Sequence, residues 1–106
     1  MARAVVNVPA TVKRGEIVEV KTLVQHAMET GFRRTQLGDA IPRNIIRQLV
    51  CTYNGVEIFR AELHPAISAN PLLAFSTVAT ESGTIVATWT GDKGFSVTQS
   101  ARIAVV

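Results

Sequence analysis

Apolar and polar residues alternate along most of the chain, and this period of two predicts β-strands rather than helices. The segments RAVVNVP (3–9) and GEIVEVKTLVQ (15–25) are also rich in β-branched residues, which favour strands. Gly15, beside Lys13 and Arg14, marks a turn between them. The first quarter of the chain is therefore predicted to form two strands.

The next strong signal is a β-hairpin in the middle of the chain. Two apolar runs, 45–53 and 56–63, are joined by Asn54 and Gly55. Asn-Gly accepts the positive φ angles of a two-residue type I′ turn at low cost. We therefore predict an antiparallel hairpin with its turn at these two residues.

Three more strands are predicted in the segment 72–106, with turns at Ser82-Gly83 and at 91–94. In the last strand the apolar residues fall on one face, which predicts that this face is turned to a core; they are Phe95, Val97, Ala101, Ile103 and Val105. Trp89, in line with Ile85 and Ala87, is expected to pack between two sheets. About seven short strands with alternating patterns indicate an all-β, immunoglobulin-like antiparallel β-sandwich formed by a single domain, 1–106.

Two segments interrupt the strand pattern, 26–44 and 64–71. The first is longer than most connections in compact domains, and long structureless connections tend to be functional or mobile. It contains Gly31, Gly38 and the tight basic pair Arg33-Arg34. The second has a proline near each end, which favours a rigid segment. Both segments are therefore candidate recognition loops.

Composition excludes several classes of protein. With 106 residues, 47% of them apolar and 18% charged, the chain has the balance of a folded domain and not that of a disordered one. The net charge of +3 is spread along the chain without a basic stripe, which argues against nucleic-acid binding. No apolar run approaches the roughly 20 residues that span a bilayer, so no membrane insertion is expected. The N-terminus lacks the apolar core of an export signal, which by itself would indicate the cytoplasm.

Candidate chemistry is sparse. His26 and His64 lie far apart in sequence without a metal-binding motif, although Met28 and Cys51 could join them if the fold brought all four together. Hydrogen bonding within loops is the favoured role of both histidines. No nucleophile elbow or phosphate-binding glycine motif is present in the sequence. An enzyme is therefore not indicated.

Cys51, the single cysteine, lies in the predicted strand 45–53 on the face of Ile45, Leu49 and Tyr53. Burial as a small hydrophobe is the favoured interpretation. Arg47 would lie on the same face, which weakens it, because a buried arginine needs a charged partner. The alternative is a thiol available to a partner protein or to catalysis.

The motifs HAMETGFRR, IPRNII, CTYNGVEIF, HPAISANPLLAF and SGTIVATW occur in this order from residue 26 onward. In these motifs and in their spacing the chain resembles the SoxZ family over about residues 14–105. It departs from the family pattern at Ala27, where the family often has proline, and at Leu72, where it often has an aromatic residue.

The resemblance implies a subunit that is not an enzyme, has no cofactor and belongs to the SoxYZ carrier complex of thiosulfate oxidation. Its partner SoxY would carry covalent sulfur intermediates on the cysteine of a C-terminal arm. The pair would form a heterodimer or heterotetramer, contact other Sox enzymes transiently and be periplasmic, exported with SoxY because this chain has no signal peptide of its own. The isolated chain could pair with itself through an exposed sheet.

The loops 26–43 and 64–71 are expected to bind the partner or a visiting Sox enzyme. The expected contact residues are His26, Met28, Glu29, Arg33, Arg34, Arg43, His64, Pro65 and Asn70, with Cys51 as a thiol contact. The alternative for the loops is simple turn chemistry with solvated arginines. Two other functions remain open: a periplasmic metal-binding module built on His26, Met28, His64 and Cys51, and a thiol enzyme based on Cys51.

Overall fold

A computed structural model describes residues 3–64, 67 and 69–106, and its described part is built almost entirely from strands. The eight strands of this part are β1 (Ala4–Asn7), β2 (Thr11–Val12), β3 (Ile17–Val24), β4 (Ile46–Tyr53), β5 (Val56–Glu62), β6 (Leu72–Val78), β7 (Gly83–Gly91) and β8 (Ser96–Val105). They form a three-stranded sheet in the order β1-β3-β6 and a five-stranded sheet in the order β2-β8-β7-β4-β5. Every pairing is antiparallel except that of β2 with β8. The predicted all-β sandwich is confirmed, with β2 as a strand that the sequence pattern did not reveal.

The core lies between the two sheets and is built from alternate residues of each. Trp89 is only 1% exposed, and Ile85 and Ala87 are fully buried beside it on β7, as predicted. Val20 and Val24 of β3 belong to the same buried cluster. Each buried aliphatic side chain of this kind contributes roughly 1.5–3 kcal/mol through removal from water. The apolar face predicted for the last strand also points to this core.

The central hairpin is formed by β4 and β5 and turns at Asn54 and Gly55, as predicted. Their φ angles of 49° and 84° are both positive, as a type I′ turn requires. The Asn54 side chain also accepts a hydrogen bond from the Thr84 backbone N–H at 2.9 Å, which ties the turn to the next strand pair. The turn is therefore fixed both by its backbone and by its side chain.

The start of β4 contains a β-bulge that removes Arg47 from the core. The register between β4 and β7 shifts between Ile46 and Gln48, so Arg47 is an extra residue without a partner on β7. As a result Ile45 and Ile46 are both buried, whereas Arg47 is exposed. The expectation that Arg47 shares the face of Cys51 is wrong because strict alternation does not hold across this bulge.

Cys51 is fully buried in the larger sheet, which confirms the favoured interpretation of a core residue. Burial raises the pKa of its thiol to about 11 because the apolar surroundings disfavour the thiolate. A thiol offered to a partner would have to be exposed, whereas this one is not. No helix in the described ranges is long and apolar enough to cross a membrane.

Candidate partner-binding site

The long segment after β3 forms an irregular hairpin, which we call the arm (residues 29–44). Its base is closed by the backbone bonds of Glu29 with Asn44, at 2.8 and 2.7 Å. Further out, Ile41 donates to the carbonyl of Arg33 at 3.0 Å, and at the tip Thr35 donates to Asp39 at 2.8 Å. The segment was expected to be a structureless loop. It is instead a second, shorter hairpin that continues into β4.

Two glycines allow the arm to fold in this way. Gly31 has a φ of +89°, and a Cβ atom added to it would lie 3.0 Å from the Cβ atom of Arg43 on the opposite side of the arm. Gly38 has a φ of +87° in the tip turn, where the Thr35 hydroxyl accepts a hydrogen bond from the Asp39 N–H at 3.2 Å. Both positions therefore favour glycine through their backbone, and Gly31 also through close packing.

The base of the arm is anchored to the sandwich by a carboxylate. Asp92, in the short 3₁₀ turn Asp92–Gly94 after β7, accepts two bonds from the Arg43 guanidinium at 2.9 and 3.0 Å and one from the Ile45 N–H at 3.1 Å. Partial desolvation disfavours the charged carboxylate, but these donors outweigh it and hold the pKa of Asp92 below its ordinary value. Arg43 is thus committed to the fold and keeps only part of its surface exposed.

Met28 supports the arm from below. Its side chain is 4% exposed, and its sulfur accepts a hydrogen bond from the Ile46 N–H at 3.2 Å. Its φ of 53° is in the left-handed region, where a methionine is uncommon. The sequence suggested an adaptable contact for a partner. Its burial instead makes Met28 an internal support at the junction of arm and sandwich.

The two neighbouring arginines of the arm also have partners within the chain. Arg33 forms a two-pronged ion pair with Glu29, both bonds being 2.9 Å long, and this hydrogen bonding lowers the pKa of the Glu29 carboxyl. Arg34 donates to the carbonyl of Gly38 at 3.0 Å. Arg33 nevertheless keeps 70% of its side chain exposed. The positive charges are therefore held in place at the surface by the arm itself.

The loop 64–71 meets the residues just before the arm, through a contact between Asn70 and His26. The His26 N–H donates to the Asn70 side-chain oxygen at 2.8 Å, and the Asn70 N–H donates to the His26 carbonyl at 2.7 Å. This reciprocal pair joins two of the predicted contact residues across the sequence. Pro65 lies outside the described residues.

The His26 side chain is also engaged within the fold. Its Nδ1 atom accepts a hydrogen bond from the Met28 N–H at 2.9 Å, and its ring packs edge-on against Phe95 at 4.9 Å. Burial lowers the pKa of His26, although the nearby Asp92 carboxylate acts in the opposite direction. The predicted role in loop hydrogen bonding is confirmed for this histidine.

A polar cleft lies beside the base of the arm. It has a volume of about 440 Å³, and it brings the exposed His64 near Arg43 and the bulged Arg47. Glu62 and Gln48 also line it, so the cleft presents both signs of charge. Such a lining can accept polar side chains of a protein surface and has no pronounced preference for anions.

Three of the four donors of the metal-site hypothesis, His26, Met28 and Cys51, are already hydrogen-bonded or buried within the fold. In the described residues no group of three or more His, Cys, Asp or Glu side chains could hold a metal ion. The Met28 sulfur and the His26 Nδ1 atom each accept a backbone N–H, and Cys51 is buried in the sheet. The arrangement therefore gives no support to a metal-binding module.

Two exposed apolar residues of the arm were not among the contact residues predicted from the sequence. Phe32 is 85% exposed and Leu37 is 91% exposed. Their only signal was their presence in an otherwise polar segment, because no periodic pattern marks residues of an irregular hairpin. With Arg33 and Arg34 they give the arm an exposed surface that is both apolar and basic, which suits a protein partner.

A family model described as "Sulphur oxidation protein SoxZ" matches residues 6–102 of the chain. No curated protein matches the chain significantly.

Solved structures share the fold at low sequence identity. A superoxide reductase (neelaredoxin) from Ignicoccus hospitalis is 19% identical, with a TM-score of 0.76 over 97% of this chain and 79% of that chain. A putative superoxide reductase from Thermotoga maritima is 21% identical, with a TM-score of 0.72 over 97% and 85%. The sulfur carrier protein SoxY from Chlorobium limicola is 9% identical, with a TM-score of 0.68 over 97% and 78%. At these identities the likeness concerns the fold alone.

Proposed function

The chain belongs to the SoxZ family, and from this premise we propose that it is the non-catalytic subunit of a SoxYZ sulfur carrier complex. The observation that carries the proposal is the family match over residues 6–102. In this function the chain binds and supports SoxY, which bears covalent sulfur intermediates of thiosulfate oxidation on a cysteine of its C-terminal segment. The complex is periplasmic, and this chain reaches the periplasm bound to SoxY.

The state of the single cysteine supports a role without covalent chemistry. A carrier or nucleophilic thiol must be exposed and readily ionised, whereas Cys51 is buried and has a raised pKa. The reactive sulfur is therefore assigned to the partner. A thiol enzyme based on Cys51 has no support in this geometry.

The arm and the adjoining residues His26 and Asn70 form the proposed recognition surface for SoxY or for a visiting Sox enzyme. The arm is rigidly tied at its base by Asp92, and a surface that is already ordered loses little conformational entropy on binding. Its exposed Arg33 and Arg34 can steer an acidic surface towards it.

The first test is copurification. When the chain is produced with SoxY, a 1:1 complex is expected, and thiosulfate-dependent adducts should form on SoxY alone. Absence of a complex at micromolar concentrations, or sulfur bound covalently to this chain, would refute the proposal.

The second test concerns the arm. Combined Arg33→Glu and Arg34→Glu should weaken either SoxY affinity or sulfur-oxidation turnover by about tenfold, in line with loss of an electrostatic contact. The matched control is Glu29→Gln, which breaks the internal ion pair without reversing a charge. If the double variant equals the wild type in both measurements, the arm is not a recognition surface.

A further inference from the structure

The outer face of the three-stranded sheet carries apolar side chains that the fold leaves uncovered. In the described part of the chain nine large hydrophobic side chains are exposed, and five of them lie on this face: Val5, Ile17, Leu23, Leu72 and Val78. Single exposed hydrophobics need no explanation, but a group on one small sheet indicates an interaction surface.

The strand register arranges these five residues in two rows. Val5 lies opposite Leu23, and Leu23 lies opposite Leu72, so the first row crosses all three strands. Ile17 lies opposite Val78 and forms the second row at the other end of the sheet. The first row lies next to the loops that carry His26 and Asn70, because Leu23 shortly precedes His26 and Leu72 shortly follows Asn70 in the sequence.

The strip between the two rows has no net charge. Glu19 and Lys21 form an ion pair at 3.4 Å within β3, and the exposed neighbours on β1 and β6 are the uncharged Asn7 and Ser76. Because Glu19 and Lys21 neutralise each other, the centre of this face presents no excess of either sign to a partner. A nucleic acid or an anionic membrane would instead need an excess of basic residues here.

One of the two edge strands of this sheet, β6, is unprotected. β6 has seven residues, LLAFSTV, without a charge or a proline. The corresponding edge of the larger sheet, β5, carries Glu57, Arg60 and Glu62. Because an open edge invites pairing with other chains, natural proteins guard it with charges or prolines, or cover it. An unguarded β6 is therefore expected to be covered in the working protein.

We infer that SoxY docks on this surface, pairing an edge strand of its own with β6 and covering both apolar rows. The inference rests on the proposed function and adds the place of contact. The solved SoxY shares this fold, with a TM-score of 0.68 over 97% of this chain and 78% of that chain, so a partner of this kind has a strand equivalent to β6. In an antiparallel pairing centred on Phe75, Leu72 lies beside the partner position equivalent to Val78. The first row would then continue into the second row of the partner sheet.

The size of the surface favours a folded domain over a single added peptide strand. The three strands have four, eight and seven residues, so the sheet spans at most roughly 14 Å by 27 Å at standard spacings. A stable interface covers about 800 Å² on each partner, which is more than this area. The partner must therefore extend beyond the sheet face, to the β6 edge and to the neighbouring loops, as a whole domain does.

The division of surfaces gives the arm a separate role. If SoxY covers the three-stranded sheet, which we call the small sheet, then Phe32, Leu37 and the arginines of the arm stay available to the enzymes that visit the complex. Arm variants should then lower turnover while SoxY affinity stays unchanged, whereas variants of the three-stranded sheet should lower SoxY affinity itself.

The test measures SoxY affinity by isothermal titration for Leu23→Lys, Leu72→Lys and Ser76→Lys. All three positions are exposed, so the fold should persist, as thermal unfolding can verify. Ser76→Lys adds a charge beside the β6 edge without removing an apolar side chain. The matched controls are Phe32→Lys and Leu37→Lys on the arm, which exchange an even more exposed apolar residue for the same charge.

We expect each small-sheet variant to bind SoxY at least tenfold more weakly, and both arm controls to bind within twofold of the wild type. Wild-type affinity for SoxY in the variants of the three-stranded sheet overturns the inference. Loss of affinity only in the arm variants also overturns it, but leaves the proposed function intact. If the wild type does not bind SoxY at all, the proposed function itself fails. If the isolated chain forms a dimer that Leu72→Lys dissociates while SoxY binding is unaffected, a second copy is the occupant and the inference is refuted.

Discussion

The thiol of Cys51 lies in the middle of the larger sheet, opposite Phe59 on β5 and Ala87 on β7. With a pKa of about 11, only about one thiol in a thousand is ionised at pH 8, and the buried sulfur is not accessible to a reagent in solution. The sequence alone favoured burial of Cys51 but left open an exposed thiol. Alternation placed Arg47 on the same face, and it does not reveal the bulge that moves Arg47 off that face.

We predict that Cys51 in the native protein does not react with a thiol-specific chromogenic reagent at pH 8, and that it reacts fully after denaturation. Cys51→Ala should lower the free energy of unfolding by about 1 kcal/mol, because it leaves a small cavity. SoxY affinity should be unchanged in this variant. Rapid labelling of the folded protein would show that the thiol is accessible and would contradict this account of Cys51.

His26 gives a pH-dependent contribution to stability. Its pKa is lowered in the folded chain, so the unfolded chain binds more protons as the pH falls through the ordinary value of 6.5. The stabilising contribution is complete above that pH and decreases below it. Chemically the cause is simple: a protonated Nδ1 atom can no longer accept the Met28 N–H, and the ring would be charged in a partly buried site.

The free energy of unfolding should therefore decrease between about pH 7 and pH 5.5 in denaturant titrations. This decrease should be much smaller in His26→Gln. The variant His64→Gln, which removes the other histidine, is measured in parallel as the control. The same slope in His26→Gln as in the wild type would exclude His26 as its source.

Among the elements, the arm differs most from what the sequence predicts. The strands β3, β6, β7 and β8 were predictable because their alternation is regular, and the β4-β5 hairpin because the Asn54-Gly55 turn has a specific backbone requirement. The arm has only isolated bridges, and its order depends on contacts between residues far apart in sequence, such as Arg43 with Asp92. Contacts of that kind leave no periodic pattern. The segment could be recognised as a candidate site, but its folded form could not.

At the candidate site, residue type alone predicted some contacts, whereas others depend on the folded surroundings of the residue. The sequence identified His26 and Asn70 as members of the two loops, and the structure joins them directly. It also suggested Met28 as a surface contact, since methionine is adaptable, but its burial depends on the left-handed turn at the arm base. The outer rows of the small sheet were not identified, because they emerge only from the register between three strands.

Gly31→Ala should loosen the arm. The substitution strains a left-handed backbone position and brings a methyl group to 3.0 Å from the Arg43 Cβ atom, so we expect a loss of about 1–2 kcal/mol in the free energy of unfolding. The amides of Glu29 and Asn44, which close the arm, should exchange with solvent faster in hydrogen-exchange measurements.

The matched control for the arm is Gly15→Ala, which has a similar φ of +86° but no atom within 4 Å of the added methyl group. It should share the backbone strain and leave the exchange of the arm amides unchanged. Equal protection of these amides in Gly31→Ala and in the wild type would show that the arm does not depend on this close approach.

The whole molecule is long and narrow, with extents of 59 × 20 × 19 Å. Its longest strand has ten residues and spans about 33 Å, which is shorter than the molecule. The arm leaves the sandwich at the end of the molecule opposite the Asn54-Gly55 turn, since it precedes β4 directly. The small sheet offers its apolar rows along the side. A domain of this shape can hold a partner along its side and present the arm to further proteins.

Charged side chains around the arm form pairs within the chain, Arg33 with Glu29 and Arg43 with Asp92, and the only cysteine is in the core. Such groups are suited to holding a surface in shape. The reactive step of the proposed carrier complex is accordingly assigned to the partner chain.

The central claim, that this chain docks SoxY and bears no sulfur itself, is tested most directly by native mass spectrometry of the two purified proteins after turnover with thiosulfate and the other Sox enzymes. We predict a 1:1 assembly in which every added sulfur mass appears on the SoxY chain when the two are separated. Two unassociated chains, or a covalent mass increase on this chain, would contradict it.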